Sequence, residues 1–270
     1  MRTLVHLSDL HFGRIDAAIL EPLAALIERL APDVVVVSGD LTQRARKAQF
    51  EEARAYLGRL PKPQVVVPGN HDVPLYRVWE RFFDPLGKYQ RHFNADLEPS
   101  FIDDEIAVIG INTARSLAFK NGRINEEQVE SIQRRFAPLG EALTKVVVTH
   151  HPFDLPDAPE KDEELVGRAR MAMDAFSRCG VDLLLAGHLH TSQAGDTSDR
   201  YELPGYAALA VQAGTATSTR GRGESNSFNV LRVANREIAI ERQVWQPEAH
   251  GFALERTERF RRDDNRWIEV

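Results

Sequence analysis

Five short apolar runs punctuate this sequence, and each one stops at side chains able to hold a metal ion. Thr3–Leu7 runs into Ser8-Asp9-Leu10-His11, and the valine-rich Asp33–Val37 into Ser38-Gly39-Asp40. Gln64–Val67 leads to Pro68-Gly69-Asn70-His71-Asp72. Lys145–Val148 leads to Thr149-His150-His151-Pro152, and Val181–Ala186 to Gly187-His188-Leu189-His190. Runs this short and this apolar read as strands buried on both faces, as in parallel α/β sheets. Ligands gather outside the carboxyl ends of such strands. Parallel neighbours would therefore bring Asp9, His11, Asp40, Asn70, His71, His150, His188 and His190 to one rim.

Helical patterns lie between the runs. Ile19, Leu23, Ile27 and Leu30 recur at helical spacing from about Asp16 to Leu30, and Lys47–Leu57 is helical by composition. Asn125 followed by Gln128 is a helix-start pattern whose apolar face continues through Val129, Ile132 and Phe136. A further helix is expected from about Glu163 to Cys179, and Ile106–Ile111 is one more strand candidate. After residue 200 the alternation ends: Tyr206–Val211, Ser227–Val233 and Glu237–Gln246 read as strands in hairpin-like structure. No linker splits the chain, so residues 1–270 are read as a single domain, with a β-rich part at about 200–250. The charged tail at about 255–270 is expected to lie solvated or to fray.

Charge and composition narrow the partners. There are 34 basic and 40 acidic residues, a net of −6, so the chain as a whole lacks the basic footprint of a protein that binds a nucleic-acid polymer. Cys179 is the single cysteine, which rules out an intrachain disulfide and fits a reducing compartment. No apolar run approaches the roughly 18 residues of a membrane span. The polar Ser8-Asp9 comes too early for a signal peptide. A cytoplasmic location is the expectation, and homo-oligomerisation stays open.

The ligand set itself carries chemistry. Imidazoles and carboxylates without a thiolate suit iron, manganese or zinc. The donors are too many for one tetrahedral ion and sufficient for two if a carboxylate is shared. Asp40, which follows a glycine, is the natural bridge. In Asp-x-His and His-x-His the side chains at i and i+2 point to the same side of an extended tip. A lone histidine at a strand end is more often a packed or hydrogen-bonded residue, but five of the nine histidines fall in these motifs.

The ordered set Asp9-x-His11, Gly39-Asp40, Gly69-Asn70-His71-Asp72, His150-x-Pro152 and Gly187-His188-x-His190 resembles the calcineurin-like metallophosphoesterases. The motifs span residues 9 to 190. The resemblance implies an α/β fold, a four-layer α/β/β/α sandwich with two mixed β-sheets. It also implies two divalent or trivalent metal ions. Asp9, His11 and His190 would hold the first, Asp40 would bridge, and Asn70, His150 and His188 would hold the second. His71 would be the catalytic histidine. His150 is preferred over its neighbour because the family spacing is His-x-Pro. His151, Asp72 and Arg14 are candidates for supporting or substrate contacts, and the Arg220/Arg222 loop is a weaker candidate for phosphate.

Leu4–Gly13, Gly39-Asp40-Leu41-Thr42 and Pro68–Asp72 are similar to the bacterial cyclic-nucleotide phosphodiesterase and glycerophosphodiesterase branch. That similarity implies hydrolysis of a small phosphodiester by a hydroxide shared between the two ions. The alternatives are a nucleotide-lipid pyrophosphate hydrolase of the UDP-diacylglucosamine type and a non-catalytic scaffold with this fold. The aromatic segment Val73–Phe93 has two readings: a cap that recognises a base, lipid or phosphate, or an amphipathic helix packed on the sandwich or a partner subunit.

Overall fold

The valine run shows how the layers form. In the computed structural model, which describes residues 1–117, 120–158, 161–220 and 223–270, this strand is buried along its whole length. Val35 and Val37 join a helix-covered core, while Val34 and Val36 face the opposite way into a second core. Side chains alternate across a strand, so an unbroken valine run needs an apolar layer on each side. The second layer here is another sheet.

Thirteen strands are formed among the described residues: β1 (Arg2–Leu7), β2 (Val34–Ser38), β3 (Gln64–Val67), β4 (Ser100–Ile102), β5 (Ile106–Gly110), β6 (Thr144–Val148), β7 (Leu183–Ala186), β8 (Gln193–Asp196), β9 (Leu209–Gln212), β10 (Ser227–Ala234), β11 (Glu237–Gln246), β12 (Gly251–Asp263) and β13 (Arg266–Glu269). One sheet has the order β13-β12-β11-β10-β1-β2-β3, and the other β4-β5-β6-β7-β9-β8. Parallel pairs form the middle of the fold: β1 with β2, β2 with β3, β5 with β6, β6 with β7 and β7 with β9. The remaining pairs are antiparallel, so both sheets are mixed.

Three cores separate four layers. Helices α1 (Ala17–Leu30) and α2 (Lys47–Leu57) bury Ile19, Leu23, Ile27, Phe50 and Tyr56 on the first sheet. The aromatic segment contributes two short helices, α3 (Val78–Phe83) and α4 (Gly87–His92). Helices α5 (Glu126–Phe136) and α6 (Ala169–Cys179) bury Ile132, Phe136, Met173 and Phe176 on the second sheet. The inter-sheet core joins Val34, Val36, Val65 and Val67 to Val146, Val148, Leu183 and Leu185. Each fully buried valine or leucine contributes about 1.5–3 kcal/mol. At α5 the expected start is found: Asn125 Oδ1 accepts from Gln128 N at 2.8 Å, and Gln128 Oε1 accepts from Asn125 N at 3.2 Å.

Several expectations change. The five runs do not share one sheet: β1, β2 and β3 belong to the first, β6 and β7 to the second. Of the strands after residue 200, β9 joins the second sheet, whereas β10 and β11 form a hairpin in the first. The charged tail does not fray. Residues 251–269 form β12 and β13, the outer strands of the first sheet, anchored by the buried Phe260 and Trp267. Helix α6 begins at Ala169 rather than near Glu163. Val166 N donates to Pro152 O and Gly167 N to Gly122 O, which holds that stretch out of the helix. The aromatic segment is two helices because Pro85 interrupts it.

Candidate metal centre

The two sheets end side by side, and the loops after β1, β2, β3, β6 and β7 meet there. His11 Nε2 lies 3.5 Å from Asp9 Oδ1, 3.4 Å from His190 Nε2 and 3.8 Å from Asp40 Oδ2. Asp40 Oδ2 also lies 3.4 Å from His150 Nε2. His150 Nε2 is in turn 3.0 Å from Asn70 Oδ1 and 3.3 Å from His188 Nδ1. Asp40 thus stands between two imidazole groups, with Asp9 and His190 on one side and Asn70 and His188 on the other. All seven expected ligands and the neighbouring His71 come together.

The backbone that delivers them is not the extended tip expected from the i, i+2 spacing. Asp9, His11, Asp40, His188 and His190 have φ between 52° and 77°. Left-handed backbone at non-glycine residues carries strain of about 1–3 kcal/mol each and persists only where the surroundings hold it. Here they do. Thr215 Oγ1 donates to Asp9 O at 2.8 Å, Thr217 Oγ1 to Leu10 O at 2.7 Å, and His11 N to Asp40 O at 2.9 Å. Gly69 is required by crowding: a Cβ there would stand 2.1 Å from Asp40 Oδ1 and 2.3 Å from Asp40 N.

Outer contacts fix the ring orientations. His150 Nδ1 donates to Ser38 O at 2.8 Å and His190 Nδ1 to Arg220 O at 3.1 Å, which turns each Nε2 inward. Asp40 Oδ1 accepts from His71 N at 2.8 Å, leaving Oδ2 for the centre. Asp9 Oδ2 accepts from Ser8 Oγ at 2.6 Å and His188 N at 3.0 Å, while the buried Asp9 Oδ1 faces His190 Nε2 at 3.2 Å and His11 Nε2 at 3.5 Å. Asp72 accepts from Gly69 N, Leu41 N, Thr42 N and Thr42 Oγ1 at 2.9–3.1 Å, tying the loop after β2 to the loop after β3.

Burial raises the Asp9 carboxyl, but hydrogen bonding with His11 and His190 outweighs it and leaves it well below the usual range. Burial likewise opposes ionisation of Asp40, and the charges of His150 and His71 override it, so its pKa too is lowered. Burial pulls His150 down, yet the adjacent Asp40 lifts it to about 9. The buried carboxylates draw positive charge onto His150 and His190.

Those observations test whether metal ions fit. Oxygen and nitrogen donors around a cation at about 2.0–2.2 Å must stand roughly 3–3.5 Å from one another. The separations here are 3.2 Å for Asp9 Oδ1–His190 Nε2 and 3.4 Å for Asp40 Oδ2–His150 Nε2. Among the described residues three groups gather within 4.8 Å: Asp9, His11 and His190; Asp9, Asp40 and His150; His150, His151 and His188. His151 is the weak member. Its Nδ1 lies 2.8 Å from Thr113 Oγ1 and its Nε2 2.9 Å from Lys120 O, so both ring nitrogens are occupied by protein and the buried ring packs against His150 and His188. The remaining residues fit a pair of ions.

Arg14 is exposed and joins the site through its backbone, whose carbonyl accepts from Thr219 N at 3.1 Å. Arg222 lies outside the described residues. Arg220 is placed on His71: Nη1 donates to His71 Nε2 at 2.9 Å. Gln43 was not anticipated. Its carbonyl accepts from His71 Nδ1 at 2.9 Å, a backbone role that no side-chain motif announces.

Two facing mixed sheets with this carboxylate and imidazole cluster at their shared end are those of a metal-dependent phosphoesterase. Residues 2–192 match the calcineurin-like phosphoesterase family, and the chain belongs to it. The glycerophosphodiester phosphodiesterase GpdQ of Enterobacter lignolyticus (strain SCF1) is 30% identical over 57% of this chain and 59% of its own length. The 3',5'-cyclic adenosine monophosphate phosphodiesterase CpdA of Escherichia coli (strain K12) is 24% identical over 69% of each chain. The match thus spans about three fifths of the first relative and two thirds of the second. In fold, the purple acid phosphatase PPD1 from yellow lupin (Lupinus luteus) seeds superposes with a TM-score of 0.72 at 14% identity, over 97% of this chain and 54% of its own. No helix among the described residues is long and apolar enough to cross a membrane.

Proposed function

We propose that this chain hydrolyses a small phosphodiester, of the cyclic-nucleotide or glycerophosphodiester type, with the help of two metal ions. The carrying observation is Asp40 Oδ2 set between His11 Nε2 and His150 Nε2 at 3.8 and 3.4 Å. Asp9, His11 and His190 would hold one ion and Asn70, His150 and His188 the other, with Asp40 placed to serve both. When bound, such ions supply the positive charge that activates water and offsets charge on phosphoryl oxygens. The chain supplies the rest. His71 is held outside the ligand set with Nδ1 donating to Gln43 O, so its Nε2 presents a lone pair that accepts from Arg220 Nη1; once Arg220 turns to the ester and Nε2 takes up a proton, the ring can pass that proton to the departing oxygen as the ester bond breaks. Arg220, already on that ring, holds the edge of the site where an anionic ester must enter. Both named relatives act on diesters, and this supports the substrate class.

The test is hydrolysis of bis(p-nitrophenyl) phosphate with manganese, with and without chelator, beside the monoester p-nitrophenyl phosphate. Chelator-sensitive activity that favours the diester is expected. His71→Ala should keep its metal and lose most turnover, whereas Asp40→Asn should lose the metal pair. Absent turnover would refute the enzymatic reading and leave a scaffold, and chelator-insensitive turnover would refute the metal centre as its source. A panel of cyclic nucleotides, glycerophosphodiesters and nucleotide-lipid pyrophosphates, read as kcat/KM, then assigns the substrate.

A further inference from the structure

The aromatic segment is inside out. On α3 the charged Arg81 is 3% exposed and donates to Pro74 O at 3.1 Å, while Trp79 and Phe83 are 77% and 75% exposed. Tyr76, Val78 and Phe82 share the outer surface. The next turn is ordinary: Tyr89 is buried and donates to Val66 O at 2.6 Å, and His92 stacks on Phe50. The segment is therefore anchored through α4, and α3 projects its apolar side chains from the molecule. The expected packing on the sandwich thus holds for α4, whose Leu86 and Tyr89 join the core of the first sheet, and fails for α3. The Trp79 and Phe83 rings stack 5.0 Å apart, forming one contiguous apolar knob.

The charge around the knob identifies its partner. Residues 42–47 carry three basic and no acidic side chains, and residues 73–93 three basic ones besides the buried Arg81 against two acidic, in a chain whose net charge is −6. The acidic pair is engaged: Glu80 with Arg77 and Lys88, and Asp84 with Arg91. Arg44, Arg46 and Lys47 are exposed, Lys47 pairing with Glu51 at 3.4 Å, and the Arg44 guanidinium lies 5.7 Å over the Tyr76 ring. Protruding aromatics beside exposed arginines are the composition that settles at a lipid interface, rings among the headgroups and cations on their phosphates. A second copy of the chain would bring the basic loop 42–47 against itself.

We propose that the knob Tyr76–Phe83 with the basic loop 42–47 is a docking surface for an anionic lipid bilayer. It stands beside the loop that carries His71, so docking sets the mouth of the metal centre at the membrane surface.

The experiment is co-sedimentation of the full chain with vesicles of phosphatidylcholine alone, and of phosphatidylcholine mixed with an equal amount of phosphatidylglycerol. Binding to the mixed vesicles, weakened by salt, is expected. Trp79→Ser with Phe83→Ser should abolish it while leaving bis(p-nitrophenyl) phosphate turnover intact. Arg44→Gln with Lys47→Gln should weaken it by about fivefold for each charge removed. Trp79 is the exposed one of three tryptophans, so its emission should shift to the blue on binding, a shift missing in Trp79→Phe. Equal affinity for both vesicles, or for neither, would overturn the proposal. So would a concentration-dependent dimer abolished by the double serine variant, which would make a second copy the occupant.

Discussion

Arg220 Nη1 donates to His71 Nε2 at 2.9 Å, while the Arg220 carbonyl accepts from His190 Nδ1 at 3.1 Å. One residue of the loop between β9 and β10 thus touches both the free histidine and a proposed ligand. The two contacts separate by mutation, because only one uses the side chain. Arg220→Met should keep the carbonyl on His190 and therefore keep metal content. It should lower kcat/KM for a diester by about 10²-fold, the loss typical of one donor aimed at developing charge. Arg220→Lys should restore part of the loss. Equal kinetics for wild type and Arg220→Met would remove Arg220 from the site's chemistry.

Asp72 accepts four hydrogen bonds from Gly69, Leu41 and Thr42, and burial together with the charge of Asp40 raises its pKa to about 6. Asp72→Asn places an amide N–H against at least one backbone donor. Leaving such buried donors unpaired costs about 1–3 kcal/mol each. The melting temperature should drop clearly, and turnover per metal-loaded molecule should fall far less than in His71→Ala. A variant melting like wild type would show that the two loops do not depend on this carboxylate.

How much of this was legible follows from what each residue's neighbours reveal. Strand ends with Asp, Asn and His pointed to a shared rim because ligands collect where parallel strands stop. The division into two sheets was not legible: Val36 faces an apolar layer whether that layer is a helix or the second sheet, and the valine run reads alike in both cases. The left-handed backbone at Asp9 and His188 was hidden because it is imposed by partners such as Thr215, more than 200 positions from Asp9. The outer strands β12 and β13 were missed for a different reason. Apart from Phe260 and Trp267 they are largely exposed, so charge masked the alternation that marks a strand.

Gly69→Ala tests close approach rather than conformation. The backbone at Gly69 has φ −105°, open to any residue, but the added methyl would stand 2.3 Å from Asp40 N and 2.1 Å from Asp40 Oδ1. Backbone cannot swing aside as a side chain can, so the loop after β2 must shift. A shift of about 1 Å at a positioned group is worth on the order of 10²-fold in rate. The variant should bind less metal and lose at least that much activity, with an overpacking cost of about 1–3 kcal/mol read by urea unfolding. Wild-type metal content would show that Asp40 tolerates displacement.

His6, which is not among the proposed ligands, makes the stability of this fold sensitive to acid. It is fully buried with Nε2 2.9 Å from Ser38 Oγ, and burial lowers its pKa from 6.5 to about 3 despite the nearby Asp9. Above pH 6.5 the residue is neutral in both folded and unfolded chains and contributes no pH dependence. Below that value the unfolded chain takes up a proton that the native state refuses. Stability therefore falls as acid is added, and continues to fall until about pH 3, where the native imidazole protonates as well. At about pH 5 the deficit amounts to roughly 2 kcal/mol. His6→Gln can still hydrogen-bond Ser38 but does not titrate. Urea unfolding in chelator, near neutrality and at about pH 5, should show a loss smaller by that amount in the variant than in wild type. Equal losses would mean that His6 takes up its proton in the folded chain, which requires water to reach the inter-sheet end of β1.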